Sequence, residues 1–536
     1  MGQSSSTEQV SPELSEVQSL AASTGALPAL EKSFSLLSDP HTNSIPLNSL
    51  QKCFSLTFEN GISEQTAVQK ELPVLLSHLG SAIVDLFFLA DKNGVSWIEF
   101  LKGYVKCCGR TVASTSLTNL FQVFSTMFSK AGLPVKLQFE SYEDDCKISG
   151  SLLPIDLLLL LWICWILLSD SRKLKLNLQK SRGDWSLPDI SHLVLSAIES
   201  CAEGGHKLDH WDCIVSDLDV LLPVMKIHLW ALKTVPNLAD CFVQFVHARL
   251  CCSATHEEKM EPSCSSAHEN SPTEICNTNL LTSGRAWAIS LSLRSPMHEE
   301  ISKICFPSNA GDINENLLYR SSLHGKGLNR FWSNVEGYNG QLLMLISAAH
   351  EDNKNTRKWI ISALTDQGFE NREMSYGTSG CLYAISPVYH VFSSSGKEKN
   401  FVYSHLHPTG RVYDAHPMPV GIAFGGSMGN ERIFMDEDFA MVTVRHHAVD
   451  KTYQHGNLFP SQGFLPVEAS VSEVEVWGLG GKNARKVQAS YKKREEIFTE
   501  QRRKVDLKTF ASWEDSPEKM MMDMVSNPET VRREDR

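Results

Sequence analysis

The spacing of apolar residues along the chain changes near residue 280. Before that point they recur every three or four positions, the period of a helix with one buried face. In LPALEKSFSLL, Leu30, Phe34 and Leu37 fall on one side, and Leu117 to Phe128 repeats the pattern. Leu157 to Leu168, LLLLLWICWILL, is the most apolar run. Twelve such residues behind Pro154 and Asp156 are too few to span a bilayer, so the run predicts a buried core helix. Asp184 to Cys201 and His210 to Leu232 continue the helical pattern, with Trp211, Leu218 and Leu222 as core. Residues 25–252 therefore read as an all-α region, and the polar stretch 253–279, with Pro262 and Pro272, as a linker.

Beyond the linker the apolar runs shorten. Leu342 to Ile346 predicts a strand buried on both faces. Leu382 to Phe392, Phe401 to Leu406, Met441 to Arg445 and Val471 to Trp477 partly alternate, whereas Thr356 to Leu364 reads as a helix. Many short strands divided by glycine and proline predict a β-sandwich. Its centre is GIAFGGSMGNERIFMDED, Gly421 to Asp438, where a glycine cluster joins two strand patterns. Such a cluster either cradles a ligand or turns the chain sharply. Asn483 to Lys508 is a charged helix with a narrow stripe of Val487, Tyr491, Phe498 and Val505. The expected class is α+β multidomain: a flexible start (1–24), the helical region, the linker, a sandwich (280–481) and a charged helix and tail (482–536).

Charge narrows the partners. A net charge of −12 over 536 residues argues against a nucleic-acid binder, which needs a basic field. The chain opens on Met1-Gly2-Gln3-Ser4-Ser5-Ser6, the pattern for myristoylation of Gly2, rather than on an apolar secretory run. One acyl chain gives only reversible membrane attachment. Fourteen cysteines in a chain this long read as reduced thiols, and the adjacent pairs Cys107-Cys108 and Cys251-Cys252 do not match zinc spacing. No metal or cofactor is expected.

Two motifs test for chemistry. FFLADKNGVSWIEFLKGY resembles an EF-hand, with Asp91, Asn93, Gly94 and Glu99 as the loop. Calcium coordination takes about twelve loop residues, and Asp91 to Glu99 supplies nine, so a degenerate loop is expected. Gly425-Gly426-Ser427-Met428-Gly429 matches G-x-S-x-G. That nucleophile elbow requires a helix after the serine, and the residues after Ser427 read as a strand. A hydrolase using Ser427 and a thiol-based redox sensor remain as alternatives to a non-enzymatic protein.

Several motifs in order resemble a TLDc domain: LLYRSSLHGKGLNRFW (Leu317 to Trp332), GYNGQLLMLISA (Gly337 to Ala348), Gly425-Gly426, Asp436-Glu437-Asp438 and Glu475-Val476-Trp477-Gly478. With the Gly2 signal and the EF-hand-like region, the layout is similar to the N-myristoylated, mTOR-associated lysosomal branch of that family, related to the oxidation resistance proteins. The resemblance implies a sandwich flanked by helices and no agreed catalytic triad. It also implies binding to the soluble sector of the vacuolar-type proton pump (V-ATPase), a link to the mTOR complex, oxidative-stress resistance, and a cytoplasmic location on lysosomal, vacuolar or other endomembranes. Basic residues crowd the C-terminal helix of an otherwise acidic protein, so Tyr491 and Phe498 are the expected partner anchors, with Arg494, Arg502 and Arg503 as clamps.

Overall fold

The computed structural model describes residues 12–56, 67–91, 94–134, 136–142, 145–176, 187–202, 209–252, 279–293, 297–307, 314–352, 355–407, 418–446, 450–514 and 521. The expected linker falls almost wholly outside them.

The helical half opens with α1 (Pro12–Ser23), α2 (Leu27–Leu37), α3 (Leu47–Phe54), α4 (Ala67–Ser77), α5 (Leu79–Phe87), α6 (Trp97–Cys108) and α7 (Ala113–Lys130). Leu30 and Phe34 of α2 are buried, as their spacing predicts. The region is not all-α. Strands β1 (Lys136–Tyr142) and β2 (Asp145–Leu152) form an antiparallel hairpin, joined by the short β3 (Leu222–Pro223). Next comes α8 (Pro154–Lys175), which holds the LLLLLWICWILL run. Pro154 starts it and the Asp156 carboxylate accepts the Leu153 N–H, 3.0 Å. Every residue from Leu157 to Ser171 is buried, so α8 is the centre of the helical core.

Around it pack α9 (Ser191–Cys201), α10 (Val224–Thr234) and α11 (Asp240–Cys251). Arg249 of α11 grips Asp170 of α8 through two hydrogen bonds of 2.8 Å. The helix expected from His210 onward starts only at Val224; before it lie a single 3-10 turn and β3. Pro223 sits just before the first residue of α10, where its fixed backbone angle suits a helix start. Leu222 is core as expected. Trp211 is half-buried instead, at the seam between the two halves, with the Arg357 guanidinium 5.4 Å from its ring.

The second half begins with α12 (Ser283–Ser290) and α13 (Met297–Cys305), which pack into the helical core. Then follow β4 (Leu317–Arg320), α14 (Ser321–His324), α15 (Leu328–Val335), β5 (Leu342–Asp352), β6 (Asn355–Thr365), β7 (Gly380–Ser386), β8 (His390–Ser393), β9 (Tyr403–His405), β10 (Gly421–Ser427), β11 (Asn430–Asp436), β12 (Met441–Val444), β13 (Val467–Gly478) and α16 (Gly481–Glu514). Thr356 to Leu364 is strand, not helix: it lies inside β6, paired residue for residue with β5. Trp359, Ile360 and Ile361 favour a pleated surface, and pairing along the whole of β5 overrides the apparent helical spacing.

The strands form one antiparallel sheet, β8-β7-β6-β5-β13-β12-β11-β10-β9, with β4 on the far half of β13. Residues from β5, β6 and β7 share one inner core with residues from β10, β11, β12 and β13. The sheet therefore bends over on itself, and the two layers expected of a sandwich are parts of one sheet. Register shifts in β13 and β6 accompany the bend. Along β5, Leu342, Met344 and Ile346 face the inner core while Leu343 and Leu345 face the helical half. Both faces are buried, which is why this strand reads as an unbroken apolar run.

Candidate functional site

Three places in the second half carry polar chemistry. The first is the glycine-rich stretch. It is a β-hairpin, with Ser427 opposite Asn430 and a turn at Met428-Gly429 between β10 and β11. Gly425 and Gly426 both take left-handed backbone angles (φ 67° and 72°). A side chain on Gly425 would meet the Asp450 carboxylate at 2.8 Å. So the glycines do cradle a group, and that group is the protein's own Asp450. Its Oδ1 accepts the N–H of Gly426 at 2.9 Å and of Thr452 at 2.8 Å. Its Oδ2 takes Arg432 at 3.3 Å. Arg432 also donates to the carbonyls of Gln454 (2.8 Å) and Gly456 (2.7 Å) and lies over the Phe392 ring, 4.9 Å away. Both charged side chains are fully buried. Neither Arg432 nor Asp450 was singled out by sequence; a lone arginine inside an apolar strand is the only signal.

Ser427 itself is exposed at the hairpin turn. Strand β11 follows it, so the strand-turn-helix of a nucleophile elbow does not form. The pair His405 and His407 lie on and just after β9, their ring nitrogens 3.3 Å apart.

The second place is the Glu-Val-Trp-Gly end of β13. Glu475 is fully buried on the face toward the helical half. Its carboxylate accepts the N–H groups of Leu280 (2.7 Å) and Leu281 (3.1 Å) and the Trp477 indole (3.0 Å). Arg320 Nε of β4 lies 3.6 Å away. The motif thus ties the start of the second half to its last strand. Burial pushes the Glu475 carboxyl above the ordinary value, opposed by these donors.

The third place is α16. Its docking face is Ala484, Gln488, Tyr491 and Lys492, one step around from the expected stripe; Val487 is exposed. Gln488 Nε2 donates to the Asn334 carbonyl (2.8 Å) and the Glu336 carbonyl (3.3 Å), and Lys492 Nζ to Asn334 (3.2 Å). These carbonyls lie at the end of α15, where a helix leaves acceptors unpaired and favours a cation. Tyr491 donates to Glu336 Oε1 at 2.9 Å, and its ring lies against Gly337, where an added Cβ would come within 2.4 Å. Tyr491 therefore holds α16 to its own domain and is not a free anchor. From Lys493 to Lys504 every residue is exposed. Phe498 is 59% and Ile497 47% exposed, and Arg494, Arg502 and Arg503 share this projecting segment. Ile497 was missed by sequence because it falls off the expected stripe.

These positions match a known domain. Residues 293–480 match the TLDc domain. The TLDc match ends one residue before α16, and the helical half precedes it, so both lie outside the domain model. The buried Asp450–Arg432 pair, Glu475 and the glycine hairpin all lie within it. No match to a curated protein was found.

The remaining candidates lie in the helical half. Helices α2–α3 and α5–α6 are two helix-loop-helix units whose loops pair through Ile45 and Val95, with N–H to O distances of 2.9 Å both ways. Asp91 and Gly94 bond each other's backbone (3.0 and 3.1 Å); Asn93 lies outside the described residues. The Glu99 carboxylate is held by Lys102 at 2.8 Å, and Lys102 also takes Glu13 of α1 at 2.6 Å. A lysine ammonium thus occupies the acid that would close a calcium loop. Titration calorimetry of the full chain should show no calcium binding at about 10⁻⁷–10⁻⁵ M. A micromolar site lost in the double variant Asp91→Ala, Glu99→Ala would contradict this.

The described thiols lie mostly in apolar surroundings. Burial pushes Cys53 up to about 11 and Cys251 and Cys381 each to about 12, and raises Cys107, Cys108, Cys164, Cys241 and Cys305 as well. A sensor thiol needs the opposite environment, exposed and electropositive.

Proposed function

We propose that this chain is a non-enzymatic adaptor that docks its TLDc domain and α16 onto a partner at the cytosolic face of lysosomal or vacuolar membranes. The TLDc match supports a regulatory role in oxidative-stress resistance. The observation that carries the docking reading is the segment Lys493 to Lys504 of α16, exposed on every side and bearing Ile497, Phe498 and a basic crowd. A helix held by its first turns and free beyond them is suited to lie in a groove, with aromatic and aliphatic anchors on one face. The partner we propose is the soluble sector of the V-ATPase, with mTOR signalling as the linked pathway. The paired helix-loop-helix units would be an EF-hand-derived scaffold rather than a calcium sensor. Affinity purification from cells in mild detergent tests this directly: pump subunits should be recovered, and their absence would remove the proposed partner.

Attachment to the membrane rests on Gly2, which lies outside the described residues. Gly2→Ala should shift most of the protein to the soluble fraction, because a single acyl chain supplies only marginal, reversible binding. Identical fractionation of the two forms would mean that something other than acylation places the protein.

A further inference from the structure

The seam between the helical half and the second half holds a cleft of about 560 Å³ that the adaptor reading does not use. Its walls are the last turn of α8, with Arg172 and Lys175, the start of α11, with Asp240, and α13, with His298, Glu299 and Lys303. Basic residues in the last turn of a helix are ordinary, since they complement its dipole. Arg172 goes beyond that. Its Nε is shielded from solvent and has no hydrogen-bond partner. The guanidinium rests over the Phe306 ring, 5.8 Å from its centre. Among the described residues, no carboxylate forms an ion pair with Arg172, Lys175 or His298; Lys303 at the rim is taken by Glu300 at 2.5 Å.

The three basic groups feel one another. Burial and the charges of Arg172 and Lys175 hold His298 below the usual imidazole range, against the opposing pull of Glu299. Asp240 and Glu299 are exposed; the Glu299 charge acts on Arg172, Lys175 and His298 without an ion pair to any of them. A shielded N–H without an acceptor is costly, and an oxygen acceptor arriving with a ligand relieves that cost. Arginine's planar fork matches the oxygens of a phosphoryl group. His298 and Glu299 stand in the first turn of the nine-residue α13, which also carries Glu300.

We propose that this seam cleft binds a phosphate-bearing ligand, gripped by Arg172 and flanked by Lys175 and His298. The volume suits a small organic phosphate better than a bare ion. The same chemistry fits a free phosphorylated metabolite or the headgroup of a phosphorylated lipid. Occupancy would bridge α8 and α13 and so stiffen one half against the other.

The test uses the full chain carrying Gly2→Ala, so that acylation does not confuse the lipid arm. Calorimetry with inositol trisphosphate and with pyrophosphate reads the free ligand. Sedimentation with phosphatidylcholine vesicles, with and without a phosphorylated phosphatidylinositol, reads the lipid. Saturable binding is expected, weakened roughly tenfold or more in Arg172→Gln, and the arm that binds more tightly names the source. Arg172→Gln could fail to fold, so Lys175→Gln with His298→Gln is a second variant, and thermal melts accompany both. No binding in either arm would overturn the proposal. So would unchanged affinity in both variants, or equal affinity for sulfate.

Discussion

Asp450→Ala is expected to destabilise the TLDc domain by about 3–5 kcal/mol, a fall in its melting temperature on the order of 10 °C. The size follows from what the carboxylate holds. Asp450 and Arg432 are both fully buried. Removing the acid leaves the N–H groups of Gly426 and Thr452 unpaired and strands a guanidinium whose Nε already lacks a partner. Burial already pulls the Arg432 guanidinium below its ordinary value, and the neighbouring Asp450 opposes that pull. With the acid gone the burial penalty is opposed only by the Gln454 and Gly456 carbonyls, the Phe392 ring and Tyr453, none of which carries a full negative charge. Adding Arg432→Met to the alanine variant should therefore recover part of the loss, because breaking a buried pair costs more than replacing both members. Thermal melts of the two variants beside the wild type decide it. An Asp450→Ala protein melting within about 2 °C of wild type would show that water or a neighbour replaces the carboxylate.

That cluster also shows where reading the sequence stops. The hairpin around Gly425 and Gly426 was legible, because glycines between two strand patterns have few other uses. What the glycines make room for was not: Asp450 lies 24 residues from Gly426, and nothing local marks that contact. The α8 core helix was legible from composition and length. Strand β6 was misread, because WIISAL carries an apolar run that fits either element until its partner is known. The β1–β2 hairpin was missed for a related reason: KLQFESY and DCKISGSL are polar enough to pass for loop. In α16 the charged character was legible but the docking face was not. That face is built on Gln488 and Lys492, whose bonds go to carbonyls ending α15. A stripe sought among apolar residues passes over such a face.

The correction at α16 sharpens the second prediction. Tyr491 is engaged with Glu336 and Gly337, so altering it would loosen the helix at its root and blur binding with stability. Ile497 and Phe498 are free of the domain. Replacing both with alanine should weaken partner binding by on the order of 2 kcal/mol, roughly 30-fold, because aromatic and aliphatic anchors dominate such contacts. The TLDc domain should melt as the wild type does. Changing Arg494, Arg502 and Arg503 to glutamine should instead weaken binding in a salt-dependent way, since exposed charges are screened.

The adaptor account meets its most direct test in the recovery of V-ATPase subunits on two immobilised proteins, the full chain and a chain ending at Arg494. The shorter one keeps Ala484, Gln488, Tyr491 and Lys492, and with them every bond that docks α16 described above. The account predicts that the full chain retains the pump's soluble sector and that the shorter chain loses most of it, with the melting of the TLDc domain unchanged. Equal recovery on both would contradict it, and would move the contact from the projecting helix to the surface of the sheet.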